Sequence, residues 1–439
     1  MSNQPIPADE APREGQRLHQ LAHKLFPFHR SLTGDGVRQT LAVLSRYLPD
    51  LVMHEIPSGT SVLDWTIPDE WRVDSAYIDT PDGRRIADVS ANNVHVMSYS
   101  SPVDEFLDLQ ELDTHLHSDP ELPDAIPYVT SYYNRSWGFC ISQDERDSLP
   151  DGRYHAKISG QLAPGSMTFA DLVIPGEHPE EILISTYVCH PSLANNELSG
   201  PLVALGLATW LQSEPRKYTY RFVFIPETIG AITYIATHFT HLRKQVVAAI
   251  NLTCIGDEGD YSYLASRLGD SALDRIARRV VSRRPSHKIY SYLDRGSDER
   301  QYGMPGIDLP MISLMRTKYG SYPQYHTHLD DLTVVTPAGL QGGLDLVRDC
   351  IRELETSTYF QSTVVGEPQL GKRGLYHSVH ARTVSDTILL RTHILAYSDG
   401  QHSLRDIADM TGAPLEEVEE LATELEEHEL LRHTPLMPR

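Results

Sequence analysis

The chain has 439 residues, of which 40% are apolar and 22% charged, and its formal net charge is −22. That length exceeds one compact core and predicts two or three domains, and the composition excludes a disordered chain. The charge excludes a basic surface for phosphate contacts and disfavours anionic membranes, so neither nucleic acid nor membrane is an expected partner.

The polar start MSNQPIPADEAPREGQ has no apolar leader. No apolar run reaches the ~18 residues of a membrane span. The four scattered cysteines form no CxxC pair. Reduced thiols and a cytoplasmic location are therefore expected.

In chain order, residues 15–50 predict two helices, the second from about Gly36 to Tyr47, with the polar loop FHRSLTGDG between them. From about 55 to 168, short strand-like pieces alternate with turns, and Asp82-Gly83 and Asp151-Gly152 are hairpin signals. From about 170 to 357 the pattern is α/β. Apolar strands at 181–189, 220–225, 246–252, 288–293 and 309–315 are interleaved with helices from Ser199, Gly230, Ser271 and Pro337. The unbroken apolar run EILISTYVC predicts a strand buried on both faces. A polar linker at about 361–380 leads to a small helical module over about 384–434, laid out like a winged helix.

The expected domains are 1–55 (helices packing on the central domain), 56–168 (a β-rich insert), 169–360 (the α/β domain) and 361–439 (linker and winged-helix-like module). The fold class is α/β, a mixed sheet flanked by helices.

Ligands of open α/β sheets bind at the carboxyl ends of the strands. Reading those ends gives His190, then Glu227, then Thr253 and Asp257, then Asp298 and Glu299, then His326 and His328. Converging imidazoles and carboxylates are the arrangement of a metal hydrolase. Zinc takes such ligands and keeps one position open for water, and a nearby carboxylate can accept that water's proton. His190 and His326 are the natural imidazoles and Glu227 the natural base.

The order CHPSLANNELSG, then PETIG, then YHT resembles the zinc aminopeptidases and glutaminyl cyclases. FHRSLTGDG, PSGTSVLDWTIP, LPDAIPYVTSYY, WGFC, TCIGDEG and SDERQY further resemble a subgroup of bacterial aminopeptidase-like proteins that carry an inserted β-rich domain and a C-terminal winged helix. The resemblance spans about residues 20–435. It implies a zinc-exopeptidase-like fold, His190 and His326 as metal ligands and Glu227 as general base. It also places Asp298 at the substrate end of the site, and Tyr325, in YHT, beside the ligand His326.

The family pattern has an acid where this chain has Asn196, Thr228 and Thr253. Those neutral groups bind zinc poorly. One ion is therefore expected rather than two, held by His190, His326 and either Glu197 or Asp257. Asn196, Asp257, Asp298 and Tyr325 are expected around the substrate.

Other readings are set against these. Cys189 next to His190 suggests a thiol dyad, but strand neighbours face opposite ways, so a core cysteine is expected. His328 is a second candidate ligand or a surface histidine. FHRSLTGDG reads as a helix-entry loop, with Arg30 or Ser31 near substrate as the competing reading. GEPQLGKR has Arg373 where a P-loop needs Ser or Thr. The last helix carries eight glutamates between Glu416 and Glu429, with no Lys or Arg before Arg432, so phosphates would repel it. Its stripe Leu415, Val418, Leu421, Ala422 and Leu425 is expected to pack on its own domain or in a homo-oligomer.

The function expected is a zinc-dependent amide hydrolase acting on a small aminoacyl or peptide-like substrate. The alternatives are amide formation or transfer in metabolite or polysaccharide biosynthesis, and a binding scaffold that has lost its metal.

Overall fold

A continuous mixed sheet organises the chain in the computed structural model, which describes residues 11–376 and 386–438. The start of the polar N-terminal stretch and part of the expected linker lie outside those residues. The central elements are α1 (Ala11–Leu25), α2 (Asp35–Leu44), β1 (Val52–Pro57), β2 (Ser166–Ile174), β3 (Glu181–Tyr187), α3 (Ser199–Ser213), β4 (Thr219–Ile225), α4 (Ile229–Gln245), β5 (Val246–Leu252), β6 (Tyr261–Leu264), α5 (Ala272–Ser282), β7 (His287–Tyr290), β8 (Met311–Met315) and α6 (Pro337–Thr356).

The strand order is β1-β2-β4-β3-β5-β8-β6-β7. The middle four strands, β4-β3-β5-β8, are parallel. Their carboxyl ends therefore lie along one edge, which is where the loops carrying His190, Glu227 and Thr253 begin. Every residue of β3, β4 and β5 is buried. Ile182, Ile184, Phe222 and Ile250 join the core under α1, α3 and α6. Leu183, Val223 and Ala249 face the opposite core, with Ile232 and Ile235 of α4. Side chains that alternate between two apolar layers explain why these strands read as unbroken apolar runs.

Local chemistry sets the helix starts. Ser271 and Asp274 form a capping box for α5, and Thr336 caps α6 with Pro337 in its first turn.

Between β1 and β2 lies the β-rich insert. Its four-stranded antiparallel sheet runs Arg85–Ile86, Glu70–Asp79, Arg153–Ala163, Val103–Asp108. Asp82-Gly83 turns the first hairpin as expected, with Thr80 N–H bonded to Arg84 O at 2.8 Å and Gly83 at φ 83°. Asp151-Gly152 makes no hairpin, because the short helix Gln143–Asp147 precedes it. The insert's Trp71, Ile78, Phe139 and Tyr154 share one core with Leu183, Val223 and α4, so the insert covers one face of the main sheet.

The C-terminal unit pairs Tyr359–Ser362 with both Asp399–Ser403 and Leu431–Thr434, around helices Asp386–Tyr397, Leu404–Thr411 and Leu415–Glu427. Val418, Leu421, Ala422 and Leu425 are buried against Leu390, Ile394 and Ile407, so the last helix spends its apolar stripe inside its own unit. Buried Asp406 binds Arg279 of α5 at 2.7 Å and Arg275 at 3.0 Å, which docks the unit on the central domain. No helix among the described residues is long and apolar enough to cross a membrane.

Candidate active site

β3 ends at Tyr187, and the chain then turns through Cys189 and His190 into a π-helical turn, Ala194–Leu198, that opens α3. π-Turns in helices recur at functional sites. This one brings Glu197 back to His190, with Oε2 2.7 Å from Nδ1. The carboxylate accepts from Nδ1–H, which leaves Nε2 as the free nitrogen, 3.7 Å from Glu227 Oε2. Behind Glu197 stands Arg30, from the loop after α1. Its Nε is 3.7 Å from Glu197 Oε1 and donates to His190 O at 3.0 Å, and neither the Arg30 nor the Glu197 side chain has any exposure. Burial tends to lower the His190 pKa, but the bond to Glu197 and its charge outweigh that and hold the imidazole above its ordinary value.

Cys189 and His190 lie beyond β3, so strand alternation does not separate them, contrary to the expectation. Cys189 Sγ is 3.4 Å from His190 Nδ1. Ligand atoms of Cys189, His190 and Glu197 all lie within 4.8 Å of one another, close enough to hold an ion. Cys189 is nonetheless a fully buried core residue, and burial pushes its thiol well up, which argues against a thiolate nucleophile.

Glu227 follows β4 and is half-buried; burial raises its carboxyl above the usual range. The next residue, Thr228, has φ 63° and ψ −73°, and Ile229 N–H bonds Glu227 O at 2.7 Å, so a strained three-residue turn presents Glu227. Asp298 holds that turn by accepting Thr228 N–H at 2.8 Å, and Arg300 donates to Thr228 Oγ1 at 2.7 Å. Asp298 is fully buried and its carboxyl is pushed well above the usual range, first by burial and then by Glu227.

His326 stands across the gap, its ring centroid 5.7 Å from that of His190. Tyr325 stacks on it at 3.9 Å and 14°. Burial lowers His326 to about 3, so its imidazole is neutral and ready to donate a lone pair. His328 is tied to the insert: its Nδ1 accepts Ile126 N–H at 3.0 Å.

The three positions that lack an acid are bonded internally. Asn196 Nδ2 donates to Tyr187 OH at 2.8 Å, Tyr187 OH meets Thr253 Oγ1 at 2.5 Å, and Thr253 Oγ1 donates to Asn196 O at 3.1 Å. Thr228 Oγ1 faces a guanidinium. Asp257, expected at the substrate, is instead a loop clamp: its two oxygens accept from Asn195 Nδ2, Gly259 N, Thr317 N and Thr317 Oγ1. Four donors fill a carboxylate's lone pairs, so none remains for a substrate.

Sequence reasoning did not find Asp330. Fully buried, it accepts Asn195 N–H at 2.8 Å, Asn196 N–H at 2.9 Å and Tyr322 OH at 3.1 Å, fixing the π-turn, and burial raises it to about 6. Its proximity to YHT was the available signal. Tyr128 of the insert was also missed; its ring lies 5.2 Å from His190 and 5.4 Å from His326, and no local pattern foretells that contact.

A family model described as a domain of unknown function (DUF4910) matches residues 19–357. The chain belongs to this family. A winged helix-turn-helix model matches residues 357–433, directly after the DUF4910 region. A Clostridium acetobutylicum protein, provisionally named a polysaccharide biosynthesis protein with aminopeptidase-like domain, is 40% identical over 422 residues, covering 95% of this chain and 96% of its own. A crystal structure of a provisionally named peptidase from the same organism has a TM-score of 0.81 at 38% identity, covering 97% of this chain and 98% of that one. The zinc aminopeptidase BSAP of Bacillus subtilis has a TM-score of 0.57 at 15% identity, covering 80% of this chain and 96% of its own, and shares the fold. The DUF4910 region of this chain thus has an aminopeptidase-like fold.

Proposed function

We propose that the chain is a single-metal, aminopeptidase-like amide hydrolase acting on a small aminoacyl or peptide-like substrate in the cytoplasm. The observation that carries this reading is the convergence of His190 Nε2, the neutral His326 ring and the Glu227 carboxylate at the carboxyl edge of the parallel strands. Imidazole–zinc distances of ~2.0–2.1 Å put two rings on one ion roughly 5–6 Å apart, and these rings are 5.7 Å apart.

The donor set favours one ion. Asn196, Thr228 and Thr253 are neutral and bonded within the protein, and the cation Arg300 sits against Thr228, which stands where a second ion's carboxylate ligand would be. Asn196 Oδ1 is buried without a hydrogen-bond partner, as expected of a group facing a site, whereas Glu197 Oε1 faces the Arg30 guanidinium. We read Glu197 as the residue that fixes the His190 tautomer, because it engages Nδ1 and its charge is countered by Arg30.

A divalent ion bound by His190 and His326 would supply Lewis acidity and an activated water. Glu227, with its raised pKa, is suited to take a proton from a nucleophile and return it to the leaving amine. Asp298 and Arg300 hold the turn that aims Glu227, and Tyr325 braces His326.

The test is metal content of the purified protein, followed by hydrolysis of aminoacyl amides by wild type and Glu227→Gln. Stoichiometric zinc, and activity lost in the variant, are expected. Unchanged hydrolysis by Glu227→Gln would remove Glu227 from the role of base.

A further inference from the structure

We propose that Tyr128, supplied by the β-rich insert, is a specificity-determining residue that closes the gap between His190 and His326 to extended polypeptides and admits only compact amides. This rests on the amide-hydrolase reading of the same site.

The tyrosine is not on a free loop. Tyr128 N–H bonds His326 O at 2.7 Å, His328 N–H bonds Ile126 O at 2.9 Å, and Ile126 N–H bonds His328 Nδ1 at 3.0 Å. These bonds flank an antiparallel bridge between Pro127 and Thr327, where the proline needs no N–H of its own. The backbone carrying Tyr128 is therefore tied to the backbone of His326, a non-glycine residue at φ 56°.

The side chain is held from behind as well. Tyr128 OH bonds Tyr132 OH at 2.7 Å, Tyr132 packs edge-on against Tyr99 at 5.5 Å, and Tyr99 stacks on Trp71 at 5.7 Å. Tyr99 OH in turn bonds Thr33 Oγ1 at 2.7 Å, in the FHRSLTGDG loop that carries Arg30. An unbroken aromatic chain thus runs from the insert's core to the two imidazoles.

At the site the three rings form a triangle with sides of 5.2, 5.4 and 5.7 Å. Aromatic rings in contact stand about 4.5–7 Å apart between centroids, so Tyr128 lies against both imidazoles and leaves no room for a polypeptide backbone between itself and them. Tyr187, 5.3 Å from His190, and Tyr325, stacked on His326, supply further aromatic walls. A chain running from the imidazoles toward the insert meets this aromatic wall, whereas a short acyl group with a small amine does not have to cross it.

Calorimetric binding of L-leucinamide and of leucyl-tetraglycine to the zinc-loaded wild type, Tyr128→Ala, Tyr128→Leu and Tyr128→Phe tests this without requiring turnover. Wild type and Tyr128→Phe should prefer the amide by at least about tenfold, and Tyr128→Ala and Tyr128→Leu should reduce that preference to about threefold or less. An unchanged preference in whichever of Tyr128→Ala and Tyr128→Leu folds, no preference in the wild type, or no binding of either compound would overturn the proposal. Relaxed size selection in a protein that hydrolyses neither compound would keep the role of Tyr128 and refute hydrolysis instead.

Discussion

Arg30 and Glu197 face each other across 3.7 Å with no exposure of either side chain, although the loop that carries Arg30 precedes Glu197 by more than 150 positions. A buried ion pair costs most when one partner is removed, because the other charge is left uncompensated. Arg30→Met is therefore expected to destabilise the protein by about 3 kcal/mol or more, read as a lower urea midpoint. A midpoint equal to wild type would show that Glu197 does not depend on Arg30.

Glu197 separates two roles by magnitude. As the partner that orients His190, its replacement in Glu197→Gln should weaken zinc binding by roughly 10–100-fold and leave measurable affinity. As an obligatory ligand, its loss would abolish stoichiometric binding. Competition with a chromophoric chelator distinguishes the two.

Asp298 acts on the Glu227 turn. Removing the acceptor of Thr228 N–H in Asp298→Ala frees a backbone conformation that ordinarily costs about 1–3 kcal/mol. The expected result is a folded protein with kcat/KM reduced by about 100-fold, since small displacements of a reacting group are costly. Wild-type kinetics in this variant would mean that the turn is held without Asp298.

Asp330 gives a pH signature. Burial raises it to about 6, against 3.8 ordinarily, so between those values the folded protein binds a proton that the unfolded chain has released. Stability from this group is therefore present at low pH and lost as pH rises through the folded value, by about 3 kcal/mol at most. Asp330→Asn removes that titration and also leaves one backbone N–H poorly paired. The stability gap between wild type and variant should be larger at pH 4.5 than at pH 7, measured by urea unfolding; a gap that widens toward pH 7 contradicts the assignment.

The winged unit should not bind duplex DNA at physiological salt. Its last helix is acidic throughout, and Arg391 is already paired with Glu424 at 2.7 Å. Fluorescence anisotropy with a mixed-sequence duplex checks this, and salt-sensitive micromolar binding would contradict it.

The sequence by itself determined the alternation of buried strands and helices, and with it the edge where polar side chains gather, because a strand covered on both faces has to be apolar throughout and its polar residues then fall at its ends. His190 and Glu227 were legible for that reason, and His326 through the Tyr-His-Thr order that carries the resemblance. The acidic last helix was legible too, since charge is read directly from composition. Only the tertiary structure decided what surrounds those three residues. Asp257 became a loop clamp because four donors from three loops converge on it, and Cys189 met His190 because the strand stops at Tyr187. Arg30, Asp330 and Tyr128 reach the site through pairings between segments far apart in the chain, with no local periodicity to report them. Such contacts are set by how the insert and the N-terminal loop pack on the sheet, and that packing is fixed only when the whole core forms.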